Sequence, residues 1–144
     1  MTVDFEWRGI FASAETNELH ARAFETPSFN DDEWDWAALT ARHSLGWVTA
    51  RSEGRLVGFV NVVWDGLVHA WISDVMVDGA NRGVGVGRRL VDAARYGARG
   101  AGCEWLHVDF DEAVAPFYHD SCGFTPTRAG LIALQRETPG VGPT

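Results

Sequence analysis

The stretch 47–77, WVTARSEGRLVGFVNVVWDGLVHAWISDVMV, restricts the possible folds of this chain more than any other part of it. It is rich in β-branched and aromatic residues, which suit the pleated, half-buried surface of a strand. Two dipeptides interrupt it, Glu53-Gly54 and Asp65-Gly66. Asp-Gly accepts the positive φ that a tight hairpin demands, so the stretch reads as three antiparallel strands over residues 47–52, 56–64 and 68–77. A chain committed to such a meander must cover at least one of its faces.

The rest of the chain supplies the cover. Residues 13–24, SAETNELHARAF, carry a serine start, an early acid and apolar residues near helical spacing, which predicts a helix. Pro27 marks a loop. DDEWDWAALTARHS then predicts a second helix with Asp31 or Asp32 near its N-cap and Trp34, Trp36 and Leu39 as packing residues. After the meander, GRRLVDAARYGARG predicts a helix with Leu90, Val91, Ala94 and Ala98 inward, ended by Gly100 and Gly102. EWLHVDF is expected as a strand, DEAVAPFYHDSCG as a short helix and TRAGLIALQ as a last strand. The pattern is α+β, with one parallel step across the helix that follows the meander. Residues 1–137 are expected as one domain and 138–144 as a flexible tail.

Charge sharpens the picture. The net charge is −8, and the chain has no lysine. Residues 1–78 hold 13 acids and five arginines, and residues 103–144 hold six acids and two arginines. Residues 79–102 reverse the balance with five arginines against Asp92 alone. An acidic body argues against nucleic acid and anionic membranes as partners. No run approaches the apolar length of a membrane span. The start, MTVDFEWRGIF, lacks a basic segment followed by an apolar block, so the cytoplasm is the expected location. Cys103 and Cys122 fit neither a disulfide framework nor a zinc pattern.

The basic island coincides with NRGVGVGRRL, residues 81–90, where Gly83, Gly85 and Gly87 alternate and Arg82, Arg88 and Arg89 flank them. The loop joins the end of a strand to the start of a helix. First-turn N–H groups have no internal partner and carry the positive end of the helix dipole. Glycines let backbone approach a ligand, so the loop suits a phosphate or diphosphate. A P-loop would require a lysine. A dinucleotide fingerprint would require glycine where Arg88 stands, and the antiparallel meander does not suit it.

Two segments resemble the GCN5-related N-acetyltransferase (GNAT) family. Arg82-Gly83-Val84-Gly85-Val86-Gly87 is similar to its Arg/Gln-x-x-Gly-x-Gly/Ala signature, and AVAPFYHDSCGF to its second hallmark. The resemblance extends from Phe5 to Gln135. It implies a mostly antiparallel sheet of six or seven strands with helices on both faces. It also implies acetyl-CoA as co-substrate, with no metal. Backbone of Arg82, Gly83, Val84, Gly85, Val86, Gly87 and Arg88 would hold the diphosphate, and Val75, Met76 and Val77 would pair with the pantetheine arm. Strands 72–77 and 105–109 would part to form a slot, where an N–H near Val75 polarises the thioester carbonyl. Tyr118 would act as general acid toward the leaving thiolate, and Asp74 as base, with His107 and Asp109 as alternatives. Asp111 stands where the family often has Asn, and its own reading is the N-cap of the next helix. The chain is thus expected to be an N-acetyltransferase acting by direct transfer on a small-molecule or peptide amine. Glu25, Asp31, Asp32, Glu33 and Asp35, interleaved with Trp34 and Trp36, suit a cationic acceptor. The alternative is a non-catalytic acyl-CoA-binding module. Family members are often dimers, so a homodimer is compatible with the resemblance.

Overall fold

The structure, a computed structural model, describes residues 2–135. Its elements in chain order are β1 (Asp4–Trp7), α1 (Ser13–Phe24), α2 (Trp36–His43), β2 (Ser44–Ser52), β3 (Arg55–Trp64), β4 (His69–Val77), α3 (Val86–Gly100) and β5 (Trp105–Val108). Short 3-10 turns at Gly79–Asn81 and Glu112–Val114 and a π-helical turn at Phe117–Ser121 complete them. The sheet order is β1-β2-β3-β4-β5, antiparallel throughout except for the parallel β4–β5 pair. The fold is therefore mixed α+β with a mostly antiparallel sheet.

The meander folds as the alternation demands. Val57, Val60 and Val62 of β3 join Ile72 of β4 and Leu90, Val91, Ala94 and Ala98 of α3 in one core. Phe59 and Met76 point the other way and meet Leu19, Ala23 and Trp36 of α1 and α2. Helices thus cover both faces. Trp7 of β1 packs into gaps left by two glycines: an added Cβ at Gly46 would lie 2.3 Å from its ring, and one at Gly97 2.5 Å away. Gly97→Leu is expected to cost about 1–3 kcal/mol through overpacking, visible as a lower urea midpoint with an unchanged slope.

Four expectations need correction. The second helix starts at Trp36, not near Asp31: Asp35 caps it, accepting from the Ala38 N–H at 3.0 Å. Trp34 is accordingly 44% exposed, whereas Trp36 is buried. The expected short helix near residue 111 is broken into a 3-10 turn and a π turn, with Pro116 at the break. The described sheet has five strands, not six or seven. Residues 127–135 form no strand, and Leu131, Ile132 and Leu134 are exposed. A strand exists only by pairing, and no ladder among the described residues takes this segment. The end of the expected domain and its tail fall in residues 136–144, outside the described residues.

Candidate active site

A cleft of about 700 Å³ opens where the C-terminal half of β4, the start of α3 and the π turn converge, with Ala23 and Phe24 of α1 along another wall. Two irregularities in β4 shape it. Its pairing with β5 ends at Ile72 opposite Val108, yet β4 continues to Val77. Beyond that point the strands no longer share a ladder. On the other edge, the register with β3 jumps from Phe59–Met76 to Asn61–Ser73, so Asp74 and Val75 together face Val60. This bulge puts Asp74 at φ +58°, a left-handed value uncommon for a side-chain-bearing residue. Val75 and Val77 line the cleft, while the Met76 side chain is fully buried on the α1 side. Any role of Met76 in the cleft is therefore confined to its backbone.

The glycine loop lies on the cleft wall. Gly83 (φ +79°) and Gly85 (φ +85°) are both left-handed, and a Cβ at either would meet nothing within 4 Å. Gly85 is the N-cap of α3, so the N–H groups of Val86, Gly87 and Arg88 open the helix without intrahelical partners. Gly87 has a packing role as well, because an added Cβ would press on the Phe117 ring at 3.2 Å. Val84 is 70% exposed and does not line the cleft.

The arginines divide. Arg82 lines the cleft and donates to the Ala23 carbonyl, tying the loop to the end of α1. Arg88 also lines it, and its loose approach to Asp92 at 3.9 Å leaves it available. Arg89 is turned away, its guanidinium 4.2 Å from the Phe5 ring centroid. Asp78, just before the loop, is buried and accepts from Arg22 at 3.2 Å, with Arg55 at 3.4 Å, which anchors the exit of β4.

Tyr118 reaches the cleft from the π turn and is only 8% exposed. Its ring stacks on Phe110 at 4.8 Å and meets Phe117 and Phe124 edge-on. Burial pushes its phenol pKa up to about 12, so it keeps its proton across the neutral range.

Asp74 is next to the cleft residue Val75. Its carboxylate is reachable by solvent, yet surrounding protein displaces enough water to raise its pKa; the Ser73 hydroxyl, donating at 3.2 Å, and the His20 imidazole oppose the rise. The alternative bases lie elsewhere. His107 stacks on Trp71, four residues before Val75 on β4, and its Nε2 is 2.9 Å from His69 Nδ1. Asp109 is exposed beyond the end of β5, and Asp111 holds the N-cap position of a 3-10 turn without a side-chain capping bond. Among the described residues, no group of three or more His, Cys, Asp or Glu is placed to hold a metal ion.

The structure therefore gathers Val75, Val77, Arg82, Gly83, Gly85, Val86, Gly87, Arg88 and Tyr118 on one cleft; Asp74 is not among its lining residues and adjoins it through its neighbour Val75. Sequence reasoning missed Ala23, Phe24, Asn81, Val114, Phe117 and Ser121 as lining residues. Helical spacing identified α1, but no local signal tells that its last turn reaches the glycine loop. Ser121 lies inside the hallmark segment, where attention to the whole turn would have found it.

The site thus joins a β4 that runs on past its last pair with β5 to a glycine-capped helix, in a mixed α+β fold. Over residues 10–124 the chain matches the family model described as Acetyltransferase (GNAT) family, and it belongs to that family. No curated protein matches the sequence. Among solved structures, a Trypanosoma brucei acetyltransferase is 26% identical with TM-score 0.73, covering 90% of this chain and 99% of its own. Glucosamine-6-phosphate N-acetyltransferase from Arabidopsis thaliana shares the fold at 20% identity and TM-score 0.70, covering 90% of this chain and 97% of its own. AAC(6')-Iy, solved in complex with a CoA-linked bisubstrate analogue of acetylneamine, does so at 19% identity and TM-score 0.74, covering 94% and 99%.

Proposed function

We propose that this protein is an N-acetyltransferase that moves the acetyl group of acetyl-CoA directly onto a primary amine of a small molecule or peptide. The observation that carries this is the meeting, in one cleft, of the unpaired amides after Gly85, the free stretch of β4 and Tyr118. The residues fit the co-substrate. Left-handed glycines with open space beside them leave room for a diphosphate against the helix start. Arg88 adds charge, and Val75, Val77 and Phe117 offer an apolar wall to a pantetheine arm.

The chemistry follows from the groups present. An ammonium must lose a proton before its nitrogen can attack, and we assign its removal to Asp74, the carboxylate adjoining Val75 in β4. The nitrogen attacks the thioester carbonyl, whose oxygen takes a hydrogen bond from an N–H near Val75. The C–S bond breaks, the Tyr118 phenol gives its proton to the departing sulfur, and the second proton of the acetylated nitrogen returns to the phenolate. Thiol pKa values, near 8.5, lie below those of phenols, so the donor matters through its position as much as its acidity.

The acceptor is read as a cationic amine. Glu25, Asp32 and Glu33 lie in the exposed α1–α2 loop, while Asp31 is held by Asn17 Nδ2 at 2.8 Å and Asp35 caps α2. Phe24, Phe29 and Trp34 are exposed beside them, with Phe29 stacked on Trp34 at 5.5 Å. Carboxylates with aromatic faces attract alkylammonium groups. The test is thiol release from acetyl-CoA across a panel of polyamines, amino sugars and peptides. Release with cationic amines is expected, and binding without release for every amine would overturn the proposal.

Asp74→Asn provides a pH test. Because the carboxyl is raised and must be ionised to accept a proton, the wild-type rate climbs as pH rises through its pKa. The variant is expected to lose that limb and about 10²-fold in kcat, with acetyl-CoA affinity unchanged. An unaltered profile removes Asp74 as base.

A further inference from the structure

Where β4 parts from β5 decides how far the cleft extends, yet the ladder that holds the two strands together is slight. It has four pairs, His69–Trp105, Ala70–Leu106, Trp71–His107 and Ile72–Val108, and it is parallel, the weaker arrangement per residue. β5 ends the sheet order, so β4 is its one partner among the described residues. Alternation sends Ala70, Ile72, Leu106 and Val108 to the core beneath α3 and leaves His69, Trp71, Trp105 and His107 on the opposite face. There His69 Nδ1 and His107 Nε2 meet at 2.9 Å, diagonally across the ladder. The two imidazoles lie against the Trp71 indole, with ring centroids 4.9 Å away for His107 and 6.0 Å for His69. His107 is one pair short of the last pair before the strands part.

We propose that the His69–His107 hydrogen bond is a pH-sensitive clasp that closes the end of the β4–β5 ladder and so positions the parting of the two strands. With both rings neutral, one N–H donates to the bare nitrogen of the other. A first proton from solvent leaves a donor and an acceptor and makes the bond charge-assisted, and the Trp71 face favours the cation. A second proton occupies the accepting lone pair. Two N–H groups then face each other, the bond is lost, and like charges push the strands apart. The clasp is therefore closed at neutral pH and opens as acid fills both rings. The surroundings hold few other charges. In the β3–β4 turn, Asp65 accepts from the His69 backbone N–H at 3.2 Å and lies within the field of its ring. Glu104 and Asp109 flank β5 in sequence and are exposed. On β3, Val63 and Trp64 stand opposite Trp71 and Ala70, and neither titrates. α3 turns Leu90, Val91, Ala94 and Ala98 to the sheet from the other side. α1 meets β4 at its far end, where Leu19 and Ala23 cluster with Met76 and Arg22 pairs with Asp78.

Hydrogen–deuterium exchange read by mass spectrometry on the ligand-free protein tests the clasp, with rates corrected for the intrinsic effect of pH. Between about pH 7.5 and about pH 5, where imidazoles gain their protons, protection over residues 69–72 and 105–108 is expected to fall about fivefold, the effect of losing one hydrogen bond. β2 and β3 are expected to stay protected. His107→Phe keeps a ring against Trp71 without the bond. It is expected to show the lower protection already at pH 7.5 and no further loss at pH 5. His69→Phe gives the same reading should the first variant melt early. Wild-type protection that does not change with pH overturns the proposal, and so does a loss that spreads equally to β2 and β3. An acid loss that persists in both variants overturns it as well, since it would belong to another group.

Discussion

Replacing Gly85 by aspartate is expected to raise the dissociation constant for acetyl-CoA by at least about 100-fold, since like charges brought together cost several kcal/mol. The substitution acts on the ligand far more than on the fold. Gly85 sits at φ +85°, and a new Cβ meets no protein atom within 4 Å. Aspartate is among the side chains that tolerate left-handed backbone, so the conformational cost is about 1–2 kcal/mol. Its carboxylate, however, would stand at the mouth of the unpaired amides of α3, where a diphosphate would otherwise sit. Gly85→Asn is the control: it has the same shape and backbone demand without the charge. Calorimetric titration of the three proteins separates the effects. Loss in Gly85→Asp with weaker loss in Gly85→Asn is expected, and wild-type affinity in Gly85→Asp would remove the loop as the anion site.

The second large effect is expected at Tyr118. Tyr118→Phe should lower kcat by about 10²-fold while leaving acetyl-CoA affinity and melting temperature near wild type. The ring contacts with Phe110, Phe117 and Phe124 survive the change, and only the hydroxyl is lost. The pH behaviour adds a constraint. With the phenol pKa at about 12, a donor role predicts no alkaline loss of rate from this group below about pH 11. The same shift links to stability. The folded state holds this proton more tightly than the unfolded chain, so the contribution is full below pH about 10 and is lost as pH rises toward 12. A variant with unchanged kcat would reduce Tyr118 to an aromatic packing residue.

Much of the scaffold could be read locally. α1 spans the residues its pattern predicts, and Leu90, Val91, Ala94 and Ala98 of α3 are all buried. The hairpins and the parallel step are also where turn chemistry and periodicity put them. β1 was not legible, because four residues carry too little alternation and exist as a strand only against β2. Nor was the start of α2, where three acids compete as caps and the contact of Ser13 with Asp35 at 2.9 Å favours the last of them. The LIAL run shows the opposite error: strand-like composition at residues 131–134 without a ladder to join.

The candidate site divides in the same way. By itself the sequence determined the glycine-capped helix tip, the basic island around it and the tyrosine segment, because caps, charge and motif spacing act over a few residues. Only the tertiary structure decided that Arg89 turns away to Phe5, that Phe24 lines the cleft, and that a bulge in β4 falls at Asp74 and Val75. Those outcomes depend on which strand pairs with which and on how far the ladder holds before it slips. Such long-range contacts are set by packing the whole chain at once, and no short window of residues encodes them.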